Sequence, residues 1–96
     1  MDALDRKKRI FEKAPNVIIE EKSSSKIVVR NTETNNNTSL CDKTDISIIS
    51  LFDTEDGNVR IIAHKLNLQE SRVITLFKKL EKRGFLVDTT KNYELL

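Results

Sequence analysis

A single cysteine, Cys41, excludes an internal disulfide and any cysteine-based zinc site, and it fits a reducing compartment. The single histidine, His64, sits in a helical pattern beside Arg60 and Lys65 with no second ligand four residues on. It therefore reads as a surface residue. There is no glycine-rich phosphate loop and no metal-ligand spacing, which argues against an enzyme and leaves no cofactor to expect. No apolar run is long enough to cross a bilayer, and the charged amino terminus lacks the apolar stretch of a secretory signal. The expectation is a soluble intracellular protein with no membrane partner: cytoplasmic or nucleoid-associated, or nuclear if eukaryotic. With no tryptophan and five aromatics in 96 residues, one domain, or one with an extension, can build only a modest core.

What the chain does have is patterned sequence. Asp2 can cap a helix through Ala14, with Leu4, Ile10 and Phe11 apolar, Arg6-Lys7-Lys8-Arg9 outward, and Pro15 ending it. The β-branched runs Asn16–Glu21 and Lys26–Arg30, joined by Lys22–Ser25, form a hairpin that packs on the remaining chain or pairs with a second copy. Asn31–Ser39 contains no apolar residue and has the composition of a solvated linker. Thr44 can then cap a helix carrying Ile46, Ile48, Ile49, Leu51 and Phe52, which ends in the turn Glu55–Asn58.

Two further helical patterns follow. Ile61, Ile62, Leu66 and Leu68 give the first an apolar side, with Asn58 as N-cap. In the second, Val73, Leu76, Phe77 and Leu80 recur at i, i+3, i+4 and i+7, leaving Arg72, Thr75, Lys78, Lys79 and Lys82 outward. Gly84 stands where this helix should stop, because a glycine adopts the left-handed conformation without a Cβ clash. Beyond it Phe85–Val87 and Tyr93–Leu96 flank a polar tip, the pattern of a hairpin. The net charge of +2 argues for no partner, but its distribution is uneven. Residues 42–57 hold one lysine against five carboxylates, whereas 58–91 hold eight basic side chains against three acidic ones. Such separation would turn the last helix towards phosphates; the plainer reading is ordinary solvated helix faces.

Gly57, Val59, Ile61, Ala63, Leu66, Leu68, Val73, Leu80, Glu81, Gly84 and Phe85, in this order and spacing, resemble the winged helix-turn-helix superfamily over roughly the last 55 residues. The stretch looks most like the reading heads of small bacterial and archaeal repressors and is similar to winged helices that end replicative helicases. The resemblance implies a winged helix at 42–96, three helices plus a C-terminal β-hairpin wing; with the helix-and-hairpin extension at 1–30 and the polar linker at 31–41 read from the residues, the expected fold is α+β. It implies double-stranded DNA as the partner and a homodimeric transcriptional regulator reading a roughly palindromic site. The residues it places on DNA are Gln69, Ser71, Arg72, Thr75, Lys78 and Lys79, with Lys91 at the wing tip reaching the minor groove. Chemically, Arg72 suits guanine and Gln69 adenine, while Ser71, Thr75, Lys78 and Lys79 suit phosphates.

Two positions stand against that pattern. Glu70 puts a carboxylate at the groove-entering end of the helix. Ile74 lies off the Val73–Phe77–Leu80 stripe, where it would meet a thymine methyl or belong to an apolar protein-binding patch. The second option makes the chain a protein-interaction or dimerisation module of a larger replication, chromatin or transcription assembly.

Overall fold

The computed structural model describes residues 9–52, 54–55 and 57–90. Within them the chain is α+β: three helices, a three-stranded antiparallel sheet and a separate two-stranded sheet. In order, the elements are β1 (Phe11–Lys13), β2 (Val17–Ser23), β3 (Lys26–Asn31), β4 (Asn37–Leu40), α1 (Lys43–Phe52), α2 (Val59–Leu66), α3 (Glu70–Lys82) and β5 (Leu86–Asp88). No helix among the described residues is long and apolar enough to cross a membrane.

The hairpin of β2 and β3 forms as expected, in antiparallel register from Val17 opposite Asn31 to Ser23 opposite Lys26. The polar run after it is not a linker. Asn31 Oδ1 accepts the backbone N–H groups of Glu33 and Thr34 at 2.9 and 3.0 Å, and Asn35 turns the chain at φ 63°. The asparagines thus close a tight turn of the Asx type, and Asn37–Leu40 returns as β4 against β3. Composition alone cannot separate a solvated linker from a run of turn-forming side chains; buried Leu40 at its end is the feature that ties it down.

The helix expected at 2–14 is also corrected. Residues 1–8 lie outside the described residues, but Phe11–Lys13 is a strand pairing antiparallel with β5, Phe11 opposite Asp88 and Lys13 opposite Leu86. Strand pairing and complete burial of Phe11 override a weak local helical pattern. Of the hairpin expected at the C-terminal end, Leu86–Asp88 is a strand, while Tyr93–Leu96 and Lys91 fall outside the described residues. The partner of β5 among the described residues is β1.

Helix boundaries follow their caps. Asp42, not Thr44, caps α1, its Oδ1 accepting from the N–H of Thr44 at 2.8 Å and of Asp45 at 3.1 Å. Asn58 caps α2 as expected, accepting from Ile61 N–H at 3.2 Å. Asn67 ends α2 in the left-handed conformation. Gly84 follows α3 at φ +87° and lets Phe85 N–H return to the Leu80 carbonyl at 2.9 Å.

One apolar core joins the inner face of the larger sheet (Val17, Ile27, Val29, Leu40) to all three helices. Phe77 of α3 lies at its centre, with ring centroids 5.1 Å from Phe11 and 5.4 Å from Phe52. Ile61, read as part of the apolar side of α2, is instead 39% exposed; Ile62 and Ala63 face inward. The ends of the described chain are stitched together. Arg9 pairs with Asp88 at 2.9 Å, Thr90 Oγ1 accepts from Ile10 N–H at 3.1 Å, and Thr89 N–H donates to Ile10 C=O at 2.9 Å.

Gly57 is the tightest point of this packing. It sits at φ +67°, its carbonyl oxygen accepts from Phe11 N–H at 3.1 Å, and only 1.8 Å would separate an added Cβ from the Phe11 carbonyl oxygen. Gly57→Ala should therefore cost more than about 3 kcal/mol by forcing β1 away from the helices. Gly84→Ala, with nothing within 4 Å of its Cβ, should cost only about 1 kcal/mol for the positive φ. Denaturant midpoints of the two variants measure the difference.

Asp88 supplies a pH dependence. Burial pushes its pKa up, but hydrogen bonds from Thr90 and the Arg9 guanidinium outweigh this and hold it down at about 2 against an ordinary 3.8. A depressed carboxylate pKa stabilises the fold above the unfolded value, and that contribution disappears as pH falls through the folded one. About 1 kcal/mol, discounted for solvent screening, should vanish between pH 4 and 2, and Asp88→Asn should flatten that part of the stability profile.

Candidate functional site

The expected DNA-contacting residues all belong to α3 or its N-cap, apart from Lys91, so the orientation of this helix decides what each can touch. Its core stripe of Val73, Leu76, Phe77 and Leu80 is buried as the spacing predicts. Opposite it, Ser71, Thr75, Lys78, Lys79 and Lys82 are exposed. Gln69 is the N-cap in extended conformation, and its exposed side chain makes no capping bond.

Exposure does not leave all of them available. Arg72 donates from Nη2 to Asp45 at 2.6 Å and approaches Asp42 at 3.4 Å, so its guanidinium is turned to the start of α1. Lys78 reaches Glu81 at 3.1 Å and Asp88 at 3.6 Å and lies 5.7 Å from the Phe11 ring centroid. The Thr75 hydroxyl donates to the Ser71 carbonyl at 2.7 Å. Lys79 and Lys82 are exposed and engage no partner among the described residues. Ile74, expected on the surface, is half-buried and packed against the core. It offers no open apolar patch.

The uneven charge along the sequence is thus largely consumed within the fold. Acids of 42–57 meet bases of 58–91 in Asp42 and Asp45 with Arg72 and in Glu55 with Lys65. Glu70, at the amino end of α3, lies 3.9 Å from Arg60.

The structure adds a feature that the sequence reading missed. Arg72 touches Asp42 and Asp45 just after β4, and Arg83, past the other end of α3, donates to Thr38 Oγ1 at 3.0 Å and Asn37 C=O at 3.5 Å. The first ties α3 to the start of α1 and the second ties the residue after α3 to β4, with Lys79 between the two on the helix by its spacing. Among the described residues β4 is an edge strand, bonded only to β3. Asn31 N–H bonds to Asn36 C=O at 2.8 Å, and antiparallel alternation from that pair puts Thr38 and Leu40 into the ladder with Val29 and Ile27. The backbone groups of Asn37 and Ser39 then point out along the free edge. The sequence held one hint: Leu40 is the first apolar residue after the polar run.

Neither a protein-family model, nor a curated protein, nor a solved structure matches the chain.

Arg72→Ala should lower stability by about 1 kcal/mol through loss of the tie between α1 and α3. Asp45→Asn should do much the same, and the double variant should be little worse than either alone. Urea unfolding of the three variants measures this coupling; additive effects would mean that Arg72 and Asp45 act separately.

Proposed function

We propose that the chain is a protein-docking module on a winged-helix frame, taking an extended, acidic segment of a partner along the free edge of β4 beside α3. Three features support the frame. The helices α1, α2 and α3 are followed directly by β5, Asn67–Gln69 forms the short turn between α2 and α3, and Asn58 bridges to Ile10 ahead of α2. In this reading β5 is the first wing strand, and β1 occupies the place beside it that a returning wing strand would take.

The observation that carries the docking reading is that β4, among the described residues, pairs on one side only, with the residue just past α3 reaching its outer side. An edge strand presents backbone donors and acceptors at the spacing of another strand, so main-chain bonds supply affinity and neighbouring side chains supply selectivity. Lys79 and Lys82, unengaged on α3, set the preference for carboxylates. Arg72 adds little positive charge because two aspartates neutralise it.

A specific observation keeps sequence-specific binding of double-stranded DNA as a second reading: Gln69, Ser71, Lys79 and Lys82 present an uncovered polar and basic surface on α3. Here a homodimer would set two such helices on a palindromic site. It loses Arg72 as the guanine reader and Lys78 as an unpaired phosphate ligand, and Ile74 is not exposed enough to seek a thymine methyl.

The two readings separate with one variant. Ser39→Pro removes an outward N–H without touching the ladder to β3. Screened against a library of acidic peptides of strand-forming sequence, the wild-type chain should select binders that shift the Asn37 and Ser39 amide resonances, and Ser39→Pro should abolish them. Lys79→Glu should weaken them about tenfold. Retention of mixed-sequence duplex that falls steeply with salt and ignores Ser39→Pro would favour DNA instead.

A further inference from the structure

The two edges of the larger sheet are protected very differently. Along β2 the edge carries Glu20, Glu21 and Lys22, and the register shifts between Glu21 and Ser23; charges and a bulge are the ordinary defences of an exposed edge. β4 reads Asn37-Thr38-Ser39-Leu40, with no charge and an unbroken register against β3. Among the described residues, the side chain that reaches over this edge comes from elsewhere in the chain. The guanidinium of Arg83 lies 5.7 Å from the centroid of the Phe85 ring and reaches across to Thr38 Oγ1 and to the carbonyl of Asn37, one of the two outward backbone acceptors of the edge.

We propose that Arg83 is a guard of the β4 edge: in the free protein it occupies the Asn37 carbonyl and prevents β4 from pairing with the β4 of a second copy, and it must swing aside before a partner segment can dock. This rests on the docking reading and adds its regulation. The chemistry suits a displaceable group. Arg83 is exposed and its bonds are to neutral acceptors, a hydroxyl and a stretched carbonyl contact, so no ion pair has to be broken to move it. A carboxylate on an incoming segment is the stronger acceptor for a guanidinium and would draw it off the edge while the partner's own N–H takes the carbonyl. Two copies of β4 meeting edge to edge carry no such carboxylate, so the guard resists self-pairing while yielding to an acidic partner.

Sedimentation of the protein alone over a hundredfold range of concentration tests this without a partner. The wild-type chain should remain monomeric, whereas Arg83→Ala should move towards dimer as concentration rises. Arg83→Gln, which keeps part of the aliphatic stem, should do the same and guards against a misfolded alanine variant. Adding Ser39→Pro to either should restore the monomer. Arg83 variants as monomeric as the wild type, a wild-type chain that already dimerises through β4, or dimers indifferent to Ser39→Pro would each overturn the guard. The docking reading fails separately, when acidic peptides show no binding that Ser39→Pro removes.

Discussion

Phe77 and the narrow gap at Gly57 set the terms for the rest of the molecule. The Phe77 ring can meet both Phe11 and Phe52 only because β1 lies close against the turn before α2, and that approach exists only because residue 57 has no side chain. From this follow the placement of β1 beside β5, the clasp of Arg9 and Ile10 on Asp88–Thr90, and the inward face of α3. Fixing that inward face fixes by rotation which residues of α3 reach the start of α1 and which look at solvent. The candidate interface is therefore a consequence of an aromatic contact on the other side of the helix.

The parts of this arrangement that are local were readable from residues. Apolar spacing located α2 and α3, Asn58 and Gly84 marked their ends, and β-branched runs located β2 and β3. Each depends on chemistry within a few positions of itself. The failures share the opposite property. Phe11 was assigned to a helix because its strand partner lies more than seventy residues away. Asn31–Asn36 read as a linker because asparagine-rich sequence serves solvation and turn closure alike, and only the return of Leu40 to the core distinguishes them. Ile74 was expected at the surface from its angle on an isolated helix, whereas the neighbouring elements partly cover that angle.

The candidate site was less legible than the fold, and charge is the reason. A count along the chain registers that acids precede bases but not that Asp45 and Arg72 are 2.6 Å apart. Once paired, these groups cancel each other's distant field and become ties between helices. What is left for recognition is smaller and differently placed: two lysines of α3 and a strand edge. The same pairings turn Arg72, the guanine reader expected from the sequence, towards the start of α1.

An open strand edge in a small protein needs a reason not to aggregate. Charges placed on the strand itself, as on β2, exclude every partner alike, including a functional one. A cation held over the edge from a neighbouring element differs in kind, because it is removable by a group it binds better. Arg83 is suited to this by its position just beyond α3: its backbone is held by the helix end, and only its side chain needs to move. Discrimination then depends on whether the approaching strand brings a carboxylate, so that the acidity of the ligand and the protection of the edge become one requirement.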